Sequence, residues 1–198
     1  MRLASATVHE AAGRSQVVDL DLVQVVPGSA AHGPARTVRC GQDDNLMVHA
    51  AVAEAEPGEI LVLTMPDPRP VALVGELLAT QMIGRGIAGV LIDAAVRDTD
   101  ELRELGLPVW ARWVRVTGAD KKMPGAIGEP VFVGGARIRQ GDLVVMDADG
   151  AVVVEAERIE EVLAAAAERE AKEADKRAKL QAGQLSYDLD GLRRLVEE

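Results

Sequence analysis

Arg97 and Asp98 stand side by side, three residues after the apolar run IAGVLID, which is typical of a buried strand. A guanidinium group binds a carboxylate through two parallel hydrogen bonds. An aspartate offers a hard oxygen ligand for Mg²⁺. These residue types together suit a 2-keto acid that chelates a divalent metal ion through its carboxylate and keto oxygens.

Asp98 also has a purely structural interpretation. With Glu101 three residues later, it forms the pattern of an N-cap and N3 pair for a helix over 99–105. Arg97 would then be a surface charge. Taken alone, this pattern favours the cap, because helix caps are commoner than binding sites.

Position along the chain favours a site. Arg97 and Asp98 fall at the carboxyl end of a predicted strand, where open α/β sheets bind their ligands. A second predicted helix begins at Gly75, Glu76, Leu77 and Leu78, just after another strand and its loop. The unpaired N–H groups of a helix start bind anions. If the two strand ends are neighbours, these backbone donors lie beside Arg97.

The elements that must position these residues follow a strand–helix–strand alternation over 59–114, which indicates α/β units. In the helix GELLATQMIGRG, we expect Leu77, Leu78 and Met82 to face inward. Residues 157–182 form the pattern of a long charged helix, with an apolar stripe in its first half. Strands are also predicted over 17–26, 36–40, and the segments EILVLTM, LPVWARWV, PVFVGG, ARI, DLVVMD and GAVVVE.

Composition excludes several classes of function. The 198 residues carry a net charge of −10, and aromatic residues make up 2%, so neither a phosphate-binding basic patch nor a base-stacking platform is expected. No apolar run is long enough to span a bilayer, and no signal peptide is evident, so we expect no membrane partner and a cytoplasmic location. The single cysteine, Cys40, has no partner for an internal disulfide.

Two motifs favour structure over chemistry. The stretch GRGIAG at 84–89 matches a dinucleotide fingerprint, but it closes a helix and enters a strand, whereas the fingerprint must do the reverse. The stretch DADG at 147–150 resembles the start of a calcium loop. Because strand-like residues flank it, a hairpin turn is the better prediction.

The run GELLATQMIGRGIAGVLIDAAVRDTDELRELGLPVWAR closely resembles the class II pyruvate aldolases that cleave 4-hydroxy-4-methyl-2-oxoglutarate and 4-carboxy-4-hydroxy-2-oxoadipate. These enzymes share a fold with the regulator of ribonuclease E activity A. The metal-site signature of the family is an acidic residue, twenty intervening residues, and then Arg-Asp. Glu76, Arg97 and Asp98 match this signature, and the resemblance extends from ATVHEA at 6–11 to the charged helix.

The resemblance implies a role for each site residue. Asp98 would bind Mg²⁺ or Mn²⁺, and Glu76 would hydrogen-bond to metal-bound water. Arg97 would hold the substrate oxygens and stabilise the enolate. The first turn after Gly75, through the N–H groups of Leu77 and Leu78, would bind the carboxylate of the pyruvate moiety.

Two further acids match residues that reach a neighbouring subunit's site in such aldolases: Glu10, with His9 beside it, and Glu173. Each also has a plainer interpretation. Glu173 has an i,i+4 partner in Arg177, Glu10 could be a surface charge, and Glu76 could be a favourable acid in the first turn of its helix.

The resemblance further implies an α/β protein with a layered β/β/α domain over 1–156. The long charged helix and tail, 157–198, would pack on a neighbouring subunit of a trimer or a dimer of trimers. The expected activity is pyruvate release from a small 2-keto acid, with oxaloacetate decarboxylation as a second reaction. Two alternatives stay open: a non-catalytic protein-binding regulator like those of ribonuclease E, and a lyase for another 2-keto acid.

Overall fold

Seven α-helices, one short 3-10 helix (Ala156–Arg158) and eleven strands lie within residues 3–197, the part of the chain that the structure, a computed structural model, describes. The helices are α1 (Ser5–Ala11), α2 (Leu46–Glu54), α3 (Glu76–Gly84), α4 (Thr99–Leu105), α5 (Ile159–Gln181), α6 (Ser186–Leu189) and α7 (Arg194–Glu197). The strands are β1 (Val23–Gln24), β2 (Ala31–Arg39), β3 (Ile60–Thr64), β4 (Ala72–Val74), β5 (Gly89–Val96), β6 (Val109–Val114), β7 (Ala126–Ile127), β8 (Val131–Val133), β9 (Ala136–Ile138), β10 (Leu143–Asp147) and β11 (Gly150–Val154).

The main sheet has the strand order β1-β6-β5-β3-β2-β10-β11. Strands β2, β3, β5 and β6 are parallel neighbours, and α3 and α4 connect β3 to β5 and β5 to β6, as the alternation in the sequence predicts. Strands β10 and β11 extend the sheet as an antiparallel hairpin. The DADG stretch forms the turn of this hairpin, where Asp147 pairs with Gly150, so the predicted turn is confirmed.

Alternating residues of the central strands divide the core between the two faces of the sheet. Leu61 and Leu63 of β3 pack with α2, α3 and α4 on one face. Ile60 and Val62 pack on the other face, against β8, β9 and the β10–β11 hairpin. This arrangement gives the layered β/β/α architecture, and aliphatic side chains fill most of it, as the scarcity of aromatic residues requires.

A third apolar cluster lies where α1 and the first half of α5 cover the β10–β11 hairpin. Val8 of α1 and Val162 of α5 are fully buried there, and Ala166 is nearly so. The second half of α5 and the segments after it are largely exposed in the chain by itself. The long charged helix is therefore present as predicted, while its packing on a neighbouring subunit stays a prediction.

Two local predictions are wrong, and one short strand was not predicted. Residues 17–26 form a strand only at Val23–Gln24, because the segment crosses a face of the sheet from a bridge with Val152 of β11 to a pairing with β6 at the opposite edge. Leu77 is 75% exposed, since the buried face of α3 is made by Leu78, Ala79 and Met82. Strand β4 (Ala72–Val74), which pairs with β5, has no counterpart among the predicted strands.

Candidate active site

Two parallel strands end together at the predicted site. β4 pairs with the last residues of β5, so Gly75, which follows β4, and Arg97, which follows β5, lie at the same edge of the sheet. The Arg97 N–H also donates to the carbonyl oxygen of Val74 at 3.1 Å. The expectation that the start of α3 lies beside Arg97 is therefore confirmed.

The Asp98 carboxylate turns toward α3 and not toward its own helix. Its Oδ2 accepts a hydrogen bond from the Glu76 N–H at 3.0 Å, and its side chain makes no cap hydrogen bond to α4. The side-chain cap with Glu101 is therefore wrong, although Asp98 does hold the N-cap position. The residue has φ 56° and ψ 45°, a left-handed conformation that non-glycine residues seldom adopt.

Arg97 lies against two glycines. Its Nε is 3.6 Å from Asp98 Oδ2, and its side chain is about half exposed. A Cβ atom added to Gly118 would lie 2.6 Å from Arg97 Nη1, and one added to Gly75 would overlap the Asp98 carboxylate. Only glycine at these two positions lets the guanidinium and the carboxylate lie where they do.

The first turn of α3 offers backbone donors beside this pair. The Ala79 N–H is bonded to the Gly75 carbonyl oxygen at 3.1 Å, which begins the helical pattern. The N–H groups of Leu77 and Leu78 come one turn too early for a helical partner, as in any α-helix. They are therefore the donors available to an anion at this helix end.

These groups line one side of a cleft of about 190 Å³. Its walls come from the end of β4, the first turn of α3, the end of β5, the start of α2, and the loop after β6. The side chains and backbone that line it belong to Asn45, His49, Ala72, Leu73, Val74, Gly75, Leu77, Leu78, Arg97, Asp98, Ala119 and Lys121.

The cleft contains two residues that the sequence reasoning missed, Asn45 and His49. Asn45 is 7% exposed, and its Nδ2 donates to the Leu73 carbonyl oxygen at 2.9 Å. Neither Asn45 Oδ1 nor His49 Nε2 has a hydrogen-bond partner among residues 3–197. Burial, together with the positive charge of Lys121, lowers the pKa of His49. The available signal was their spacing of four residues at the start of α2, which places both on one side of a helix.

The buried Asp44 holds the loop that closes the cleft. Its carboxylate accepts hydrogen bonds from the backbone N–H groups of Lys122 at 2.5 Å, Met123 at 3.0 Å and Leu46 at 2.8 Å. Burial by itself would raise the pKa of Asp44, but these N–H groups and the charge of Lys122 bring it below its ordinary value. The same loop carries Gly118, which contacts Arg97.

The donor set around Asp98 fits Mg²⁺ better than a metal that needs several protein ligands. Among residues 3–197, no group of three His, Cys, Asp or Glu side chains comes close enough to enclose a metal ion. Asp98 Oδ2 accepts a hydrogen bond from the Glu76 N–H at the start of α3, and the Asp98 side chain is 37% exposed. It shares an open acidic surface with Glu76, Glu101 and Glu104. Mg²⁺ is often held by one or two carboxylates and keeps several of its waters.

Glu10 and Glu173 share Arg169 as an ion-pair partner, and neither lines the cleft of its own chain. Arg169 of α5 lies between them, with Nη1 3.8 Å from Glu10 Oε2 and Nε 2.9 Å from Glu173 Oε1. Arg14 also pairs with Glu10, with its Nε 3.1 Å from Glu10 Oε1. The ion pair made by Glu173 is thus with Arg169, one turn earlier, and not with Arg177 as expected.

The family assignment rests on a match over most of the chain. Residues 5–153 match the family model described as RraA-like, Aldolase/RraA. The chain belongs to the RraA-like family. The match covers both strand ends of the cleft and α1 with Glu10, but it stops before α5.

Similar proteins within the RraA-like family carry different names. A Halalkalibacterium halodurans protein named "Putative 4-hydroxy-4-methyl-2-oxoglutarate aldolase" is 37% identical over 139 residues, which span 70% of this chain and 66% of that protein. Streptomyces coelicolor RraAS2, described as an unusual member of the RNase ES inhibitor RraA protein family, is 31% identical. Its structure superposes with a TM-score of 0.78 over 88% of this chain and 91% of that one.

A third similar protein has a different name again. The Geobacillus kaustophilus structure described as S-adenosylmethionine: 2-dimethylmenaquinone methyltransferase is 34% identical, with a TM-score of 0.66 over 71% of this chain and 86% of that one. The names of the relatives alone therefore do not decide between a lyase, a ribonuclease inhibitor and a methyltransferase. No helix within residues 3–197 combines the length and the apolar character needed to cross a membrane.

Proposed function

We propose that this protein is a divalent-metal-dependent lyase that releases pyruvate from 4-hydroxy-4-methyl-2-oxoglutarate or 4-carboxy-4-hydroxy-2-oxoadipate. The proposal rests above all on one observation: Arg97, Asp98 and the first turn of α3 converge at the ends of two paired strands. The names of similar proteins support the class of reaction. The same site would decarboxylate oxaloacetate.

The cleft supplies the groups that such a reaction needs. The N–H groups of Leu77 and Leu78 would bind the carboxylate of the pyruvate moiety. Asp98 would hold Mg²⁺ or Mn²⁺, with Glu76 bonded to a coordinated water, and the metal ion would act as a Lewis acid on the 2-keto group. Arg97, held between Gly75 and Gly118, would stabilise negative charge on the keto oxygen.

The bond that breaks in each reaction leaves its electron pair on the same product, the enolate of pyruvate. In the aldol cleavage, the C4 hydroxyl loses its proton, the C3–C4 bond breaks, and its electron pair forms the enolate of pyruvate. In decarboxylation, the bond to the departing CO₂ breaks and supplies the same enolate. A proton added to C3 then completes pyruvate in either case. One site that stabilises an enolate therefore serves both substrates.

We further propose that Glu10 and Glu173 act in the cleft of a neighbouring subunit, within a trimer or a dimer of trimers. They are already held together by Arg169, and they lie on helices remote from the cleft of their own chain. There they would orient metal-bound waters and help to move protons.

The first experiment is to measure pyruvate release from 4-hydroxy-4-methyl-2-oxoglutarate and from oxaloacetate, with Mg²⁺ and then with excess EDTA. Release that depends on the protein and is abolished by EDTA is expected, and the ratio of the two rates ranks the substrates. If a folded, metal-loaded protein releases no pyruvate from either substrate, the proposal fails.

Because the chain is similar to a member of the RNase ES inhibitor family, a second candidate function is regulation by binding another protein. A regulator that acts only by binding another protein needs no metal ligand after Arg97. This chain has Asp98, with its carboxylate held at the start of α3. The absence of pyruvate release in the experiment above would favour the regulator.

A further inference from the structure

The wall of the cleft formed by the start of α2 carries two polar atoms without a protein partner. They are Asn45 Oδ1 and His49 Nε2, and both atoms are buried. Leaving a buried polar atom without a hydrogen bond destabilises the folded state, so most such atoms in proteins have partners. The cleft therefore offers one amide oxygen and one ring nitrogen to a molecule that enters it.

The direction of the Asn45 amide is fixed. Because Nδ2 donates to the Leu73 carbonyl oxygen at 2.9 Å, a flip of the amide would place two oxygens together. Oδ1 is therefore an acceptor, and only a donor can satisfy it. This excludes a carboxylate or phosphate oxygen as its partner.

The second unpartnered atom belongs to His49, for which the neutral imidazole is the favoured form. Burial and the charge of Lys121 both disfavour its protonated form. In the tautomer with hydrogen on Nε2, His49 donates a hydrogen bond where Asn45 accepts one. A hydroxyl group both donates and accepts, so it satisfies both atoms at once.

The charged side chains that line the cleft disfavour an ammonium group as the donor to Asn45. An ammonium group would also donate to Asn45, but Arg97 and Lys121 already line the same cleft. An ammonium group would be repelled by these two side chains and by the metal ion proposed at Asp98. A neutral hydroxyl carried by an anionic molecule fits both the polar atoms and the surrounding positive charge.

We propose that Asn45 and His49 bind the C4 hydroxyl group of a 4-hydroxy-2-keto acid, by an O–H donated to Asn45 Oδ1 and an N–H donated by His49 Nε2. This inference rests on the proposed function and adds substrate specificity to it. Arg97, Asp98 and the start of α3 would recognise the pyruvate half that all substrates share. The start of α2 would recognise the hydroxyl that oxaloacetate lacks.

The direct test uses ligands that cannot be cleaved. Without a 2-keto group to accept the electron pair, 2,4-dihydroxyglutarate stays intact, and 2-hydroxyglutarate differs from it only by the missing C4 hydroxyl. Calorimetry with the Mg²⁺-loaded protein should show about tenfold tighter binding of the dihydroxy acid, the size expected for two hydrogen bonds. In Asn45→Ala and His49→Ala, this preference should fall toward onefold.

A matched control is His32→Ala, which removes an exposed histidine on β2 that does not line the cleft. It should keep the full preference. Circular dichroism and the thermal midpoint of each variant verify that the fold is intact. Should Asn45→Ala not fold, His49→Ala and His49→Phe carry the test, because both remove the N–H donor and leave the bond between Asn45 and Leu73 in place.

The outcomes separate this inference from the proposed function. Equal affinity of the unmodified protein for the two acids overturns the role of Asn45 and His49, while pyruvate release can still establish the lyase. A preference that survives both substitutions also overturns it. Binding of neither acid counts against the inference, and the pyruvate assay then shows whether the proposed function fails with it.

Kinetics give a second, independent measurement. Asn45→Ala and His49→Ala should lower kcat/KM for 4-hydroxy-4-methyl-2-oxoglutarate at least fivefold more than kcat/KM for oxaloacetate, because only the first substrate carries the hydroxyl. Equal losses for the two substrates would show that the residues act on the shared pyruvate half, contrary to the inference.

Discussion

Asp98 combines two constraints in one residue. Its backbone is in the left-handed region, and its carboxylate holds the first N–H of α3, which lies 22 residues earlier in the chain. A backbone conformation of this kind costs free energy, and it persists where the surrounding structure fixes it. The carboxylate is thereby held next to Arg97 with its second oxygen available to a cation.

Replacing Asp98 tests its charge separately from its shape. We expect Asp98→Asn, which keeps an acceptor for the Glu76 N–H, to lower Mg²⁺-dependent pyruvate release about 100-fold or more, because a neutral amide holds the metal ion poorly. Asp98→Ala should be equally inactive. Binding of Mn²⁺, followed by its paramagnetic resonance, should weaken in parallel. Full activity in folded Asp98→Ala would refute the site.

Gly118 offers a test of how Arg97 is positioned. In Gly118→Ala, the new methyl group would lie 2.6 Å from Arg97 Nη1 and displace the guanidinium. We expect kcat/KM for oxaloacetate to fall about tenfold, because a small misplacement of a charge-stabilising group weakens the transition state. The matched control is Gly84→Ala at the end of α3, where a Cβ meets open space. Equal activity of the two variants would contradict this account.

Short elements, and the loops between them, complete the cleft. Strand β4 has only three residues, yet its pairing with β5 brings the start of α3 to Arg97. The loop after β6 is held across the cleft by Asp44, which is 1% exposed and accepts three backbone hydrogen bonds. Both features depend on contacts between distant parts of the chain.

Loss of the Asp44 carboxylate should destabilise the protein. In Asp44→Ala, three backbone N–H groups lose their acceptor, and we expect the free energy of unfolding in urea to fall by roughly 1–3 kcal/mol. The exposed Asp21, replaced in the same way, should change it by less than about 0.5 kcal/mol. No difference between the two variants would show that the loop does not need Asp44.

The pH dependence of this contribution has a definite sign. Because folding lowers the pKa of Asp44 from its ordinary 3.8, the stabilisation is complete above about pH 4 and is lost as the pH falls through the lower pKa of the folded state. Unfolding measured between pH 7 and pH 3 should therefore show a steeper acid loss of stability in the unmodified protein than in Asp44→Ala. Parallel curves would contradict it.

At the scale of the whole molecule, the proposed site is divided between two places. The cleft at the carboxyl ends of β4 and β5 holds Arg97 and Asp98, whereas Glu10, Arg169 and Glu173 form a separate ion-pair group on α1 and α5. Helices α1 and α5 cover β10 and β11 at the far end of the strand order from β5. If the acids act in catalysis, a neighbouring chain must bring them to the cleft.

Mixed assemblies test this division. Arg97→Ala and Glu173→Ala chains should each be inactive, and oligomers assembled from both should recover part of the activity, because some interfaces join an intact cleft to an intact Glu173. Glu168→Ala, on the same helix and paired with Lys172, is the control and should be active by itself. If mixing is demonstrated and activity does not return, the shared site is wrong.

The sequence by itself determined the α/β alternation and the candidate pair Arg97 and Asp98. Buried parallel strands are apolar on both faces, and helix starts and turns have local signals, so short windows are enough to predict them. The family resemblance added Glu76, Glu10 and Glu173. These inferences concern residue types and their spacing along the chain.

Tertiary structure alone decided how those residues are used. The Asp98 carboxylate had two possible partners, its own helix or the start of α3, and it bonds to α3 because β4 pairs with β5. The same pairing and the loop held by Asp44 enclose Asn45 and His49 in the cleft. Hydrogen bonds between distant residues depend on the order of strands in the sheet, and no local pattern encodes that order.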